Sequence, residues 1–219
     1  MSDKIEAFNT VAGIYDNWYE HPQGKQVFEA ERNALQQMIP PKGLGLEIGA
    51  GTGVFAESLT GVDRTILCLD PSSEMLSKAK KRGLMCILGL ADPLPFREGV
   101  LNFSYMVTVL EFLDAPLDTF KEVQEITKED AYISILFINS DSSWGELYRN
   151  IGAKGDPVFK HAQLYSLDET VKLLKDANYI VSDVKGTLNS DPMNQVVDQG
   201  LVEPSDESGV LIVKAVKRV

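Results

Sequence analysis

Short apolar runs alternate with amphipathic stretches along this chain. Runs at Leu44–Ile48, Thr65–Leu69, Leu84–Leu88, Leu101–Val107 and Tyr132–Ile138 predict strands. Several are apolar on both faces, as strands covered by helices on each side require. Between them, helical spacing covers Gly24–Met38, Thr52–Leu59, Ser72–Arg82 and Leu117–Thr127. Pro71 after Asp70 marks a helix start, because the first turn does not need proline's missing N–H. Ser166-Leu167-Asp168-Glu169 has capping-box spacing and predicts a helix to about Ala177. Two further runs, Tyr179–Val184 and Val210–Val216, are separated by a segment rich in Asp, Pro, Asn, Gly and Ser, too poor in helical pattern for a crossover. They predict antiparallel neighbours. The fold class that follows is α/β with a mainly parallel sheet, in one domain.

With 219 residues, 44% hydrophobic and 24% charged, the chain can bury a sizeable core, which excludes a disordered chain. No apolar run is long enough for a transmembrane helix, and Met1–Glu6 lacks a secretory profile. Two cysteines, Cys68 and Cys86, suit neither a disulfide scaffold nor a zinc site. A cytoplasmic protein with no metal and no membrane partner is expected. The net charge of −11 opposes binding to a polyanion, so no nucleic-acid partner is expected. The basic cluster Lys78, Lys80, Lys81 and Arg82 reads as a solvated helix face.

The candidate chemistry starts in Leu44-Gly45-Leu46-Glu47-Ile48-Gly49-Ala50-Gly51-Thr52-Gly53, a strand running into a glycine loop. Glycines there permit a tight turn and close approach of a ligand. A dinucleotide fingerprint would need glycine at position 54, which is Val54. Glu47, at the strand's carboxyl end, would face a pyrophosphate at a cost on the order of a kcal/mol or more. A cationic ligand such as S-adenosylmethionine reverses that sign. Asp70 closes the second strand about twenty residues on, where a carboxylate accepts from ribose hydroxyls or caps the helix opened by Pro71. With the glycine loop upstream, ribose is the favoured reading.

These segments resemble the class I S-adenosylmethionine-dependent methyltransferases, in particular the small-molecule branch that includes quinone-biosynthesis methyltransferases. The resemblance rests on residues 46–53, Leu69-Asp70-Pro71-Ser72, residues 89–96 and Val107-Thr108-Val109-Leu110-Glu111-Phe112, with Ala12-Gly13-Ile14-Tyr15-Asp16-Asn17-Trp18 as an entry helix. It implies a Rossmann-like seven-stranded sheet of order 3-2-1-4-5-7-6, strand 7 antiparallel, with helices on both faces. It implies that Glu47, Gly49, Ala50, Gly51 and Gly53 form the loop at the methionine end. Asp70 and Pro71 would face the ribose, Ala91 and Asp92 the adenine, Val107 and Thr108 the sulfonium, while Tyr15 closes over the cofactor. It divides the chain into an N-terminal helical cap (1–39), a cofactor-binding core (40–138), an acceptor lid (139–165) and a C-terminal helix with antiparallel strands (166–219). Three departures stand out: Leu90 beside the adenine, Asn102 for the usual Asp at the start of strand four, and Lys128-Glu129-Asp130-Ala131 in place of a glycine turn.

The implied reaction is in-line methyl transfer to a small-molecule acceptor, by a monomer or homodimer. A general base is needed only for a protonated nucleophile. Glu111 and His161 are the candidates, with Asp141 and Tyr165 behind them; each also reads as an ordinary surface or helix-start residue. Residues 139–160 carry Trp144, Tyr148 and Phe159 and read equally as a lid and as a small helix packed on the sheet edge. A protein that binds the cofactor without catalysis and a nicotinamide oxidoreductase are the alternatives.

Overall fold

The computed structural model describes residues 3–194 and 200–218. Outside them lie Met1 and Ser2 of the start segment, residues 195–199 between the last two predicted strands, and Val219. One sheet organises the chain. Its strands are β1 (Gly43–Ile48), β2 (Arg64–Asp70), β3 (Met85–Leu88), β4 (Leu101–Val107), β5 (Thr127–Ile138), β6 (Tyr179–Thr187) and β7 (Val210–Lys217), in the order β3-β2-β1-β4-β5-β7-β6. The first five pair in parallel, and β7 runs antiparallel to both β5 and β6.

Helices cover both faces. On one lie α3 (Pro22–Met38), α4 (Val54–Leu59) and α5 (Ser73–Lys81), burying Leu35, Phe55 and Leu76 with Phe103 and Tyr105 of β4. On the other, α6 (Pro116–Ile126) and α8 (Leu167–Asp176) bury Phe120, Val123 and Leu174 with Ile133 and Ile135 of β5. Two short helices, α1 (Asp3–Val11) and α2 (Asn17–Glu20), precede α3, and α7 (Ser143–Ala153) follows β5. Among the described residues, no helix is long and apolar enough to cross a membrane.

Local chemistry sets most boundaries where the pattern predicts them. Ser166 and Glu169 form the reciprocal capping box of α8. Ser72 accepts from the Met75 N–H at the start of α5. Two boundaries differ. Gly53 sits at φ +79 as the N-cap of α4, so the helix opens at Val54 rather than Thr52. β5 begins at Thr127, because that residue pairs with Leu101 before a register shift near Asp130, whose φ is +59; the expected turn at 128–131 is thus absorbed into the strand. Asn102 keeps a scaffold role, its Oδ1 accepting from the Leu44 N–H at 3.0 Å.

The basic cluster at the end of α5 is not a solvated face throughout. Arg82 donates to the Thr52 carbonyl at 3.0 Å, to Glu57 at 2.6 Å and to Asp16 at 2.9 Å. Asp16 also accepts from the Thr52 hydroxyl at 2.6 Å, and Lys78 donates to the Gly13 carbonyl at 3.0 Å. These bonds fasten the segment before α2 onto the glycine loop. Arg82→Ala should therefore lower unfolding stability by about 1 kcal/mol, since the ion pairs are part-exposed and screened. Amide exchange should quicken over residues 13–20; exchange unchanged there would show that the segment is held by other contacts.

Candidate active site

β1 ends at Ile48 and the chain turns through Gly49 (φ +68) and Gly51 (φ +54). A side chain at Gly49 would collide with Val109, whereas one at Gly51 would meet nothing and project into open space. Gly51 is thus the point of the loop where a ligand can touch backbone. Gly53 has a packing role instead, its missing side chain making room for Leu84 and Ala79 of the α5 region. The Ala50 N–H donates to the Leu69 carbonyl, so Ala50 braces the loop without lining the site.

Asp70 completes the turn. Its Oδ2 accepts from the Gly51 N–H and its Oδ1 from the Ser72 N–H, both at 2.8 Å. Each oxygen retains a further lone pair, so the carboxylate braces the loop, holds the start of α5 and can still accept from a diol. Burial raises its pKa to about 6, against the pull of these two N–H groups. Ser72, not Asp70, is the N-cap of α5, so the helix-cap reading of Asp70 does not hold; its carboxylate instead braces the residue that caps.

A cleft of about 220 Å³ opens above the loop. Its floor is Gly49, Gly51, Asp70 and Pro71, and its sides hold Ala91, Asp92 and the exposed Leu90 on one hand, Val107 and Thr108 on the other. Thr108 has φ +50, a left-handed conformation that costs a β-branched residue energy, and its N–H is held by the Leu136 carbonyl. Tyr15 lines the cleft as well; burial pushes its hydroxyl up to about 12. The roof is α1, through Lys4, Ile5 and Phe8. Lys4 donates to the Phe112 carbonyl at 2.8 Å and pairs with Asp114, Phe8 meets the Phe112 ring edge-on at 5.2 Å, and Ser72 bonds Asn9 at 2.7 Å. The sequence pattern did not reveal this roof, because α1 buries no residue of its own.

Glu47 overturns an expectation. It is 2% exposed, lies outside the cleft and accepts from the Tyr105 hydroxyl at 2.9 Å. The cause is strand periodicity: Glu47 pairs with Cys68 and Tyr105 in register and shares their face, the one covered by α3 and α4. Its carboxyl is therefore not part of the cleft lining. Burial is the main force raising its pKa to about 8, with Tyr105 and the Ala56 N–H opposing.

Glu111 and His161 also lie outside the cleft, although Phe112 lines it. Glu111 sits in a 3₁₀ turn (Leu110–Phe112), 1% exposed, with Oε1 accepting from the Ile138 N–H at 2.7 Å and Oε2 buried without a partner. Burial raises its pKa to about 7. His161 ends a second 3₁₀ turn (Phe159–His161), its Nε2 buried and unpartnered, and the Gln163 N–H donates to the Glu111 carbonyl at 2.8 Å. The sequence reading missed Glu31 of α3. Its signal was available: Val27, Ala30, Glu31, Ala34 and Met38 share a buried helical stripe, and one member is an acid.

A raised carboxyl pKa means that the folded state holds a proton the unfolded chain has lost. Glu47 therefore favours folding fully only below its unfolded pKa near 4.5, and that advantage is lost as pH rises toward 8. Relative to Glu47→Gln, the wild type should lose stability by on the order of a few kcal/mol between pH 5 and 8, by denaturant titration. Parallel profiles for the two proteins would show that Glu47 ionises normally.

Comparison with known proteins agrees with this geometry. A family model described as a methyltransferase domain matches residues 46–135. An uncharacterized protein of Methanocaldococcus jannaschii is 32% identical over 183 residues, spanning 84% of each chain. A Thermotoga maritima S-adenosylmethionine-dependent methyltransferase, described as a possible histamine N-methyltransferase, superposes with TM-score 0.86 at 26% identity over 98% of this chain and 100% of that one. Geranyl diphosphate C-methyltransferase of Streptomyces coelicolor, solved with Mg2+, geranyl diphosphate and S-adenosyl-L-homocysteine, shares the fold at TM-score 0.65 and 15% identity, over 89% of this chain and 80% of that one. The chain therefore belongs to the class I S-adenosylmethionine-dependent methyltransferases and uses S-adenosylmethionine as its cofactor.

Proposed function

We propose that this methyltransferase acts on a small-molecule acceptor by in-line displacement, and that the cleft above the glycine loop holds the cofactor. The observation that supports this best is Asp70, fixed by Gly51 and Ser72 with lone pairs to spare beside a loop residue that leaves open space. The residues fit the group. Asp70 accepts from the ribose hydroxyls, Gly49 and Gly51 let the amino-acid end approach backbone, and Pro71, Ala91 and Asp92 flank the adenine. Val107 and Thr108 present backbone beside the sulfur, and Tyr15 closes the cleft. Glu47, Ala50 and Gly53 shape the loop from outside it.

When bound, S-adenosylmethionine supplies an activated methyl group, so the chain's work is to align the nucleophile and exclude water. Residues 1–39 act as the cap and 139–165 as the acceptor lid on the core of 40–138, with 166–219 completing the sheet. Aromatic side chains run between cap and lid: Phe8 meets Phe112, Phe112 lies 6.1 Å from Phe159, and Phe159 stacks on Tyr148 at 4.4 Å. Of these, Phe8 and Phe112 line the cleft. The net charge of −11 also favours a small acceptor over a polyanion. The names of the Thermotoga and Streptomyces proteins point to small acceptors too.

Asp70→Ala should weaken S-adenosylhomocysteine binding by about 1–3 kcal/mol, the scale of a lost charge-assisted hydrogen bond. Titration calorimetry reads this directly, and unchanged affinity would remove Asp70 from the site. With methyl-labelled cofactor and a cell extract, label should appear in the metabolite fraction. Label confined to nucleic acid or protein would overturn the small-acceptor reading.

A further inference from the structure

The sheet has two edges, and the chain treats them differently. β6, at one end of the strand order, carries Asp183 and Lys185 and has a register shift between Val181 and Asp183. Lys185 pairs with Glu203, and Gly186 bridges to Val202, so the segment before β7 covers part of that edge. Charges, bulges and covering loops are the usual means of keeping an edge strand from pairing with another chain. β3, at the opposite end, pairs only with β2 among the described residues, without a register shift. The nine residues Gly83-Leu84-Met85-Cys86-Ile87-Leu88-Gly89-Leu90-Ala91 hold no charge and no proline. Three of them present large apolar side chains to solvent: Met85 is 51% exposed, Leu88 64% and Leu90 53%. Shortness is the one protection β3 has, and Leu90 carries the apolar surface past the end of the strand.

Charge sits only at the two ends of this run. Lys80 and Lys81, in the last turn of α5, precede it; both are exposed and neither enters an ion pair among the described residues. Asp92, exposed and likewise outside every ion pair described, follows it. That polarity decides what fits the edge. A second copy laid alongside in parallel would set lysine against lysine and Asp92 against Asp92. Laid antiparallel, about a two-fold axis perpendicular to the sheet, each copy's lysines meet the partner's Asp92. Such an axis preserves the faces of the sheet, so paired positions must share a face. The register that sets Lys80 against the partner's Asp92 satisfies this. It places Cys86 at the axis, Leu84 against the partner's Leu88 and Met85 against the partner's Ile87. A strand from another protein would need this pattern reversed, and the chain already contains it.

We infer that β3 is a self-association edge: two copies of this chain pair antiparallel through residues 83–91 and join their sheets into one. Apolar side chains supply the attraction, and Lys80 against the partner's Asp92 fixes the register. Leu90 and Asp92 also line the cleft, so the pairing braces one of its walls from outside. The strand is short, which makes the dimer a reversible one.

Sedimentation velocity on the full chain, at a concentration on the order of 100 μM, should show a species of twice the chain's mass in exchange with monomer. Leu88→Lys puts a charge on the exposed edge without entering the core, and should leave monomer alone. Lys80→Asp and Asp92→Lys each set like charges across the axis, and each should weaken the dimer at least about tenfold. Mixed in equal amounts, these two variants should dimerise with each other as tightly as the wild type does, because every pair across the axis is then of opposite charge. Circular dichroism of each variant should match the wild type; if Leu88→Lys fails to fold, the mixture decides alone. The inference is overturned if the wild type is monomeric or forms species of no defined size. It is also overturned if folded Leu88→Lys dimerises like the wild type, or if the mixture stays monomeric. None of these outcomes depends on the methyl-transfer reading, which the labelled cofactor tests separately.

Discussion

The Asp70 carboxylate is the constraint on which the site depends. One oxygen holds the Gly51 N–H of the loop after β1 and the other holds the Ser72 N–H at the head of α5. Two adjacent strand ends are thereby locked at one separation, and the loop keeps the left-handed glycines that leave its backbone bare. Everything ligand-facing is placed from that bracket: the floor directly, the walls through the neighbouring strand ends, and the roof through Ser72, whose hydroxyl reaches Asn9 of α1. A single buried acid does this because a carboxylate has more lone pairs than the two bonds consume.

The other buried acids show how differently one side chain can be used. Glu47 is enclosed with a phenol and a backbone N–H and serves the layer between sheet and helices. Glu111 divides its oxygens, one fixing the end of β5 and one unspent. Glu31 lies in the buried stripe of α3, where burial is the main force raising its pKa to about 8.

Much of the architecture was legible from residue patterns because it is local. Runs of two-faced apolar residues marked the strands, Ser166 with Glu169 marked a helix start, and Pro71 another. The acid–glycine loop and Asp70 were legible as a pair from spacing. Glu47 was misread as ligand-facing because its face depends on the strand's phase relative to Tyr105, fifty-eight positions away. Arg82 was misread as solvated because its partners, Asp16, Thr52 and Glu57, come from the cap and the loop. The resemblance implied a helical cap over residues 1–39, but the residue pattern did not mark α1 itself, a helix with no buried stripe.

What the sequence determined by itself were the things governed by short-range chemistry: element type, the glycine turn, the capping box of α8 and the parallel class of the sheet. Tertiary structure alone decided which way each acid points and which acids lack partners. The reason is physical. A hydrogen bond or charge pair between residues far apart in the chain depends on the register and crossing of whole elements, and Glu47 meets Tyr105 only once β1 and β4 have paired in register.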